Sequence, residues 1–193
     1  GGARKRITVM FSDIVDFTAF SDRADPEEVQ DVLETYFAEA AKAIFSQDGV
    51  IDKYMGDGIL AFFENDGDSI TSATRAADCA LTMQARARKL NELYRSQNRS
   101  PFAIRIGLAT GYAKVGNIGP AEKIDYTVIG SVVNLASRLQ GVGEPGTIIT
   151  DKDTHFFIQD DHTVTALGPH DLKGFSKPVE VFSVTVREQA VAS

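Results

Sequence analysis

Two aspartates follow apolar runs in settings that push their carboxylates out of a protein core. Asp13 follows the run ITVMFS, and Asp57 lies within KYMGDG. A single aspartate in such a position is usually a turn former or a helix cap. If the fold brings the two together, their oxygens form a site for a divalent cation, since Mg²⁺ is usually held by one or two carboxylates and substrate phosphates. The pair therefore predicts phosphate chemistry.

Four further side chains are suited to a phosphorylated ligand. Asn134 and Arg138 lie four positions apart on a predicted short helix, so they project from one face. The planar fork of arginine suits phosphate oxygens, and asparagine can orient a sugar oxygen. Lys53 lies at a predicted strand end and Lys173 in a loop beside a glycine, where lysine is either a phosphate contact or an ordinary surface residue. Taken one at a time, these residues stay candidates.

The spacing of apolar residues predicts the elements that position these side chains. We expect helices over 26–45, with Asp25 as the N-cap acceptor, over 69–94, and over 132–139, with Ser131 as its cap and Gly141 just beyond its end. We expect strands over 7–11, 50–54, 59–63, 102–110, 125–129, 147–150, 164–167 and 179–186. The segment 55–58 is expected to be the turn of a hairpin, with Asp57 at its tip.

The order of the first six main elements indicates the fold class. It reads strand, helix, strand, strand, helix, strand, which is typical of a ferredoxin-like α+β fold with a mainly antiparallel sheet, here followed by a C-terminal αβ extension. In this topology the first strand can lie beside the central hairpin, so Asp13 and Asp57 become neighbours. We predict a catalytic domain over residues 6–187, an N-terminal junction or cloning remnant over 1–5, and a C-terminal tail over 188–193.

Composition excludes several classes of protein. The formal net charge of −7 argues against a sequence-independent nucleic-acid binder, which usually carries a basic patch. Cys79 is the only cysteine, so the chain has no intrachain disulfide and no cysteine-based zinc site, which fits a reducing compartment. No run approaches the roughly 18 apolar residues of a membrane span. We predict a soluble, cytoplasmic domain, and the sequence leaves open whether it is part of a larger protein.

Five motifs, in order, resemble the class III nucleotidyl cyclase catalytic domain, of the adenylate cyclase type. They are FSDIVDFT, KYMGDGILAFF, IRIGLATGYAKVGNIG, DYTVIGSVVNLASRLQ and LKGFSKPVEVF. The resemblance extends from about Arg6 to Val186. It implies that the chain converts ATP to 3′,5′-cyclic AMP and pyrophosphate, using two Mg²⁺ or Mn²⁺ ions in each active site.

The resemblance assigns a role to each candidate. It implies that Asp13 and Asp57 bind the metal ions together with the backbone carbonyl of Ile14. The loop of Asp16, Phe17 and Thr18 is implied to wrap the triphosphate. Asn134 and Arg138 are implied to act as catalytic residues in the transition state, and Lys173 to hold phosphate. Two positions depart from the family: Asp16 adds a third acid, and position 112 is a tyrosine where some cyclases have a phosphate-binding arginine.

Lys53 and Thr127 are the implied readers of the base. Lysine paired with threonine at these positions indicates adenine, whereas glutamate with a small residue indicates guanine. Adenine offers an N1 acceptor to the ammonium and an N6 donor to the threonine oxygen, whereas guanine reverses both. Mispaired buried polar groups discriminate strongly between substrates. Thr127 also resembles the subgroup stimulated by bicarbonate or CO₂, and this regulation is left open, as is an upstream sensor domain.

Family cyclases are head-to-tail dimers, so the resemblance implies a homodimer with two shared active sites. One chain would supply Asp13 and Asp57, and the other Lys53, Thr127, Asn134, Arg138 and Lys173. A guanylate cyclase is one alternative, and a catalytically inactive nucleotide-binding or dimerisation module is another. A diguanylate cyclase or polymerase-palm relative would share the metal-binding sheet edge, but not a reason for the Asn134 and Arg138 helix.

Overall fold

A computed structural model describes residues 2–186, and the predicted tail over 188–193 lies outside them. The elements follow in the order β1 (Gly2–Ile14), α1 (Phe17–Arg23), α2 (Pro26–Ser46), β2 (Val50–Met55), β3 (Gly58–Glu64), α3 (Ser72–Ser96), β4 (Ile104–Ile118), β5 (Asp125–Ile129), α4 (Ser131–Val142), β6 (Ile148–Asp151), α5 (Lys152–Ile158), β7 (Val164–His170) and β8 (Val179–Val184). None of the helices within residues 2–186 is both long and apolar enough to cross a membrane.

The strands form one eight-stranded sheet in the order β2-β3-β1-β4-β6-β8-β7, and β5 pairs with β4. The first four strands of this order form the ferredoxin-like core, in which β1 lies antiparallel to both β3 and β4. The pairing of β4 with β6 is parallel, and β6, β7 and β8 pair antiparallel beyond it. The predicted α+β fold with a mainly antiparallel sheet and a C-terminal αβ extension is therefore confirmed.

Helices cover both faces of the sheet because its central strands are apolar on both sides. Along β1, Met10 packs in the cluster under α2 and α3, whereas Ile7 and Val9 pack in the cluster under α4. Consecutive side chains of a strand point to opposite faces, so one strand supplies both cores. All three of these residues are fully buried.

Helix α4 lies unusually close to the sheet. A Cβ atom on Gly107 of β4 would overlap the backbone carbonyl oxygen of Ala136 and would lie 2.5 Å from the backbone nitrogen of Gln140. Glycine at this position is therefore required by the close approach of the helix backbone, which brings the side chain of Gln140 to the end of β1.

Several predicted boundaries were wrong. Helix α4 begins at Ser131, so Gly130 rather than Ser131 is its N-cap residue, and Gly141 lies inside the helix. Asp25 does occupy the N-cap position of α2, but its side chain forms no capping hydrogen bond, and its backbone carbonyl accepts from Val29 instead. Helix α3 begins three residues later than predicted, and Ile70 is 45% exposed.

Two short helices and the extensions of three strands were not predicted; the smallest extension takes β7 three residues past its predicted end, to His170. Helices α1 and α5 have seven residues each, too few for a periodic apolar pattern to stand out. Strand β1 begins at Gly2 because it pairs with β4 along its whole length, from Gly2 opposite Gly116 to Ile14 opposite Ile104. Strand β4 continues to Ile118, where it pairs with β5. The domain boundaries at residues 5 and 187 stay a prediction.

Candidate active site

The fold brings Asp13 and Asp57 to one edge of the sheet. Strand β3 pairs antiparallel with β1, with Ile59 opposite Ser12, so the turn between β2 and β3 lies beside the end of β1. The backbone N–H of Ile14 donates a hydrogen bond to Oδ2 of Asp57 over 2.9 Å. This contact fixes the Asp57 carboxylate next to the residue that follows Asp13.

The Asp13 carboxylate is held by two side chains from other elements. Nε2 of Gln140 donates to its Oδ1 over 2.5 Å, and Nε of Arg105 lies 3.7 Å from the same oxygen. Burial raises the pKa of Asp13 to about 6; the Arg105 guanidinium opposes this shift, and the nearby Asp57 carboxylate adds to it. The side chain nevertheless remains 23% exposed, so the carboxylate is partly desolvated but still open to a ligand.

An open cleft of about 500 Å³ lies over the two aspartates. It is lined by Asp13, Ile14, Asp16, Phe17, Thr18, Ala19, Asp22 and Asp57. Asp16 adopts a left-handed backbone conformation, with φ of 54°, and turns the chain from β1 into α1. The first turn of α1 therefore forms one wall of the cleft. All six residues predicted to bind metal or triphosphate on this side of the site line it.

The cleft fits a divalent cation that completes its coordination with water and phosphate. Within residues 2–186, no group of three or more His, Cys, Asp or Glu side chains is arranged to hold a metal on its own. Two carboxylates at an open cleft match the way Mg²⁺ is usually bound, with the remaining ligands supplied by substrate. A cation between Asp13 and Asp57 would also offset the repulsion from Asp57, which adds to the effect of burial in raising the pKa of Asp13.

The predicted base-reading residues lie on β2 and β5. Oγ1 of Thr127 donates a hydrogen bond of 2.7 Å to Oδ2 of Asp52, the residue directly before Lys53. Thr127 lies opposite Gly116 of β4, whereas Lys53 lies opposite Leu60 of β3. The contact between Thr127 and Asp52 therefore joins β2 to β5 and brings the backbones of the two candidate residues together.

Asn134, Arg138 and Lys173 do not line the cleft that contains Asp13 and Asp57. All three are exposed, and within the described part of the chain their side chains form no hydrogen bond or ion pair. Leu172 is buried in the same apolar cluster as Val132 and Leu139, so the loop that carries Lys173 packs beside α4. Within this chain these three side chains therefore lie outside the cleft of Asp13 and Asp57.

Sequence reasoning missed four polar residues around these groups. Asp22 lines the cleft, Gln140 and Arg105 hold Asp13, and Asp52 holds Thr127. Only Gln140 carried a signal, because it directly follows the predicted helix 132–139, four residues after the apolar Ala136, and a buried glutamine needs a polar partner. Arg105 and Asp52 depend on contacts between residues that are far apart in the chain, and Asp22 depends on α1, which the sequence did not predict.

The model of the adenylate and guanylate cyclase catalytic domain family matches residues 2–186. Adenylate cyclase 1 of Rhizobium meliloti is 33% identical over 190 residues, which cover 97% of this chain and 29% of that protein. The chain therefore spans less than a third of the length of this relative.

Two solved structures match nearly the whole chain. The adenylyl cyclase CyaB from P. aeruginosa superposes with a TM-score of 0.90 and 36% identity, covering 98% of both chains. The guanylyl cyclase Cya2 superposes with a TM-score of 0.88 and 34% identity, covering 100% of this chain and 98% of the other. These two similarities are of nearly equal strength, so fold similarity does not distinguish an ATP-specific from a GTP-specific cyclase.

Proposed function

This chain belongs to the adenylate and guanylate cyclase catalytic domain family, and from that premise we propose that it is an adenylate cyclase. It converts ATP to 3′,5′-cyclic AMP and pyrophosphate. The observation that carries the proposal is the convergence of Asp13 and Asp57 on an open cleft, with Asp57 held by the backbone N–H of Ile14. Such a site suits an enzyme that handles a nucleoside triphosphate.

In the reaction, the ribose 3′-oxygen attacks the α-phosphorus and pyrophosphate leaves from the opposite side. Asp13, Asp57 and the carbonyl of Ile14 would hold two divalent ions, Mg²⁺ or Mn²⁺, which when bound supply charge neutralisation and lower the pKa of the attacking hydroxyl. Asp16, Phe17 and Thr18 enclose the triphosphate at the wall of the cleft.

The second group of residues positions the substrate and meets the developing charge. Arg138 stabilises negative charge on the α-phosphate, because its planar guanidinium can donate two parallel hydrogen bonds. Asn134 orients the ribose, which favours the in-line attack geometry. Lys173 neutralises the outer phosphates. The free, exposed side chains of these three residues support this assignment, since none is committed to a partner within residues 2–186.

Lys53 and Thr127 favour adenine over guanine. The Lys53 ammonium donates to N1 of adenine, and Thr127 accepts from the N6 amino group. Guanine would present N1–H to the ammonium, leaving two donors opposed. Since a guanylyl cyclase is a structural neighbour at 34% identity, guanylate cyclase activity is the second candidate, and these two residues argue against it.

The functional unit we propose is a head-to-tail homodimer with two active sites. Cyclase domains of this family function as dimers. In this chain, Asn134 and Arg138 lie outside the cleft of Asp13 and Asp57, which supports a site completed by the opposite half of a second copy. A monomer is then inactive, because each chain contributes only half of each site.

Mixing two inactive variants tests this arrangement. Asp57→Ala and Arg138→Ala chains should each make almost no cyclic AMP alone. A one-to-one mixture should recover about a quarter of wild-type activity, because half of the dimers are heterodimers with one intact site each. A mixture of Asp57→Ala with Asp13→Ala is the matched control and should recover nothing, since both changes affect the same half. Failure of the first mixture in demonstrated heterodimers would rule out shared sites.

Product analysis tests the substrate and the inactive-module alternative together. The wild-type chain should turn over ATP at least about tenfold faster than GTP at equal concentrations, as expected when hydrogen-bonding groups are mispaired. Equal or faster turnover of GTP would favour the guanylate cyclase. No turnover of either nucleotide would favour a binding or dimerisation module. Stimulation of the same assay by bicarbonate, and an upstream sensor domain in the full protein, stay predictions.

A further inference from the structure

Asp52 occupies an irregular position in β2. The register between β2 and β3 shifts after Ile51, which pairs with Ala61, because the next paired residue is Lys53, opposite Leu60. Asp52 is thus the extra residue of a β-bulge. Bulges re-aim side chains that a regular strand would direct elsewhere, and they are frequent next to active sites.

The Asp52 side chain reaches Thr127, 75 positions further along the chain. The Thr127 hydroxyl donates to Oδ2 of Asp52 over 2.7 Å, and the bond is partly buried. The ladder of β5 runs along β4, so this bond is a side-chain contact between β2 and β5 and not part of a strand pairing. Its geometry commits the hydroxyl hydrogen to the carboxylate.

The donor and acceptor capacity of the Thr127 hydroxyl determines which groups of a nucleotide base it can bind. A threonine hydroxyl has one hydrogen and two lone pairs, and an ionised carboxylate only accepts. With its hydrogen held by Asp52, the Thr127 oxygen can only accept a further hydrogen bond. Without that carboxylate, the hydroxyl is free to rotate and can either donate or accept. It could then donate to the O6 acceptor of guanine as readily as it accepts from the N6 amino group of adenine.

We propose that Asp52 is a positioning residue that sets base selectivity, because it takes the hydroxyl hydrogen of Thr127 and leaves only an acceptor for the base. This inference rests on the proposed function, in which Thr127 faces the base. It adds a third residue to the pair that selects adenine, and that residue acts through Thr127 without touching the substrate. The β-bulge is what directs its carboxylate to β5.

The test is the ratio of kcat/KM for ATP to kcat/KM for GTP. Asp52→Ala removes the acceptor and should lower this ratio about tenfold, the factor expected when one hydrogen bond no longer discriminates. Asp68→Ala, which removes a carboxylate from an exposed loop, is the matched control and should leave the ratio unchanged. Asp52→Leu, which also lacks an acceptor, carries the same expectation and replaces Asp52→Ala if the alanine variant does not fold. Asp52→Asn keeps an oxygen that can accept from Thr127, so it should preserve most of the selectivity.

A double-mutant cycle separates positioning from a merely structural role. Thr127→Val removes the hydroxyl, so adding Asp52→Ala to it should change the ATP to GTP ratio less than about twofold. An equal drop in both backgrounds would overturn the proposal, as would an unchanged ratio in Asp52→Ala and Asp52→Leu. A wild-type chain that makes no cyclic AMP from ATP would instead overturn the proposed function itself, whereas the outcomes above leave that function standing.

Discussion

Gln140 donates a hydrogen bond from Nε2 to Oδ1 of Asp13 over 2.5 Å, and it is itself almost fully buried. Gln140 belongs to α4, the helix whose exposed face carries Asn134 and Arg138. One helix therefore holds a carboxylate of its own chain's cleft while presenting side chains that, in the proposed dimer, serve the other site. The position of α4 affects both half-sites at once.

Replacing Gln140 by leucine should impair activity without unfolding the chain. Leucine has a similar size, but it removes the donor that orients Asp13. We expect kcat/KM to fall about 10–100-fold, as is typical when a residue that orients a metal ligand is lost, with a higher metal concentration needed for half-maximal activity. Gln159→Leu, at an exposed position, is the control. Unchanged activity and metal dependence in Gln140→Leu would show that this hydrogen bond does not matter for the site.

Asp57→Asn should separate catalysis from folding. Asparagine keeps an oxygen that accepts from the Ile14 N–H, so the free energy of unfolding should change by less than about 1 kcal/mol. It loses the charge that a cation requires, so ATP cyclisation should fall on the order of 100-fold or more. Asp22→Asn, in the same cleft, should have a smaller effect on activity. Equal losses in the two variants would point to general cleft electrostatics in place of specific cation binding.

Two glycines near α4 should respond in opposite ways to alanine. Gly107→Ala places a Cβ against the helix backbone, so we expect the free energy of unfolding to drop by about 2–3 kcal/mol. Gly141→Ala meets nothing within 4 Å and lies inside the helix, so it should stabilise by up to about 1 kcal/mol. Urea unfolding measures both. A neutral Gly107→Ala would mean that α4 can move away from the sheet at little cost.

Buried Asp151 should give the stability of the fold a distinctive pH dependence. Its carboxylate accepts from the N–H and the hydroxyl of Thr154, and burial raises its pKa from 3.8 to about 6. Because the folded state binds this proton more tightly than the unfolded state, the contribution of Asp151 to stability is greatest below about pH 4 and is lost as the pH rises through about 6.

Asp151→Asn removes this titration while retaining an oxygen for Thr154. The stability of the variant relative to wild type should therefore rise between pH 4 and 6.5, by up to about 3 kcal/mol. Asp160→Asn, on the exposed turn after α5, reports the effect of one lost charge by itself. Urea unfolding at several pH values measures the difference. A stability difference that stays constant with pH would contradict the raised pKa of Asp151.

Local sequence patterns predicted most of the regular structure. Strand β5 matches its predicted limits, and α2 differs by one residue, because alternation and helical spacing report directly which side of an element is buried. Helices α1 and α5 were not predicted, because seven residues are too few for helical spacing of apolar residues to be recognised. The cap of α4 was misplaced by one residue, as is common where a glycine and a serine adjoin.

The sequence alone determined which side chains are suited to bind phosphate and metal, and, through the order of the elements, that Asp13 and Asp57 meet. These features depend on residue chemistry and on chain topology, both of which can be read along the chain. Only the tertiary structure decided which polar partners hold those side chains. The hydrogen bond from Gln140 to Asp13 spans 127 positions and depends on how closely α4 packs against the sheet. The hydrogen bond from Thr127 to Asp52 spans 75 positions and depends on where β2 bulges. Such contacts follow from packing distances and strand register, which no local pattern encodes.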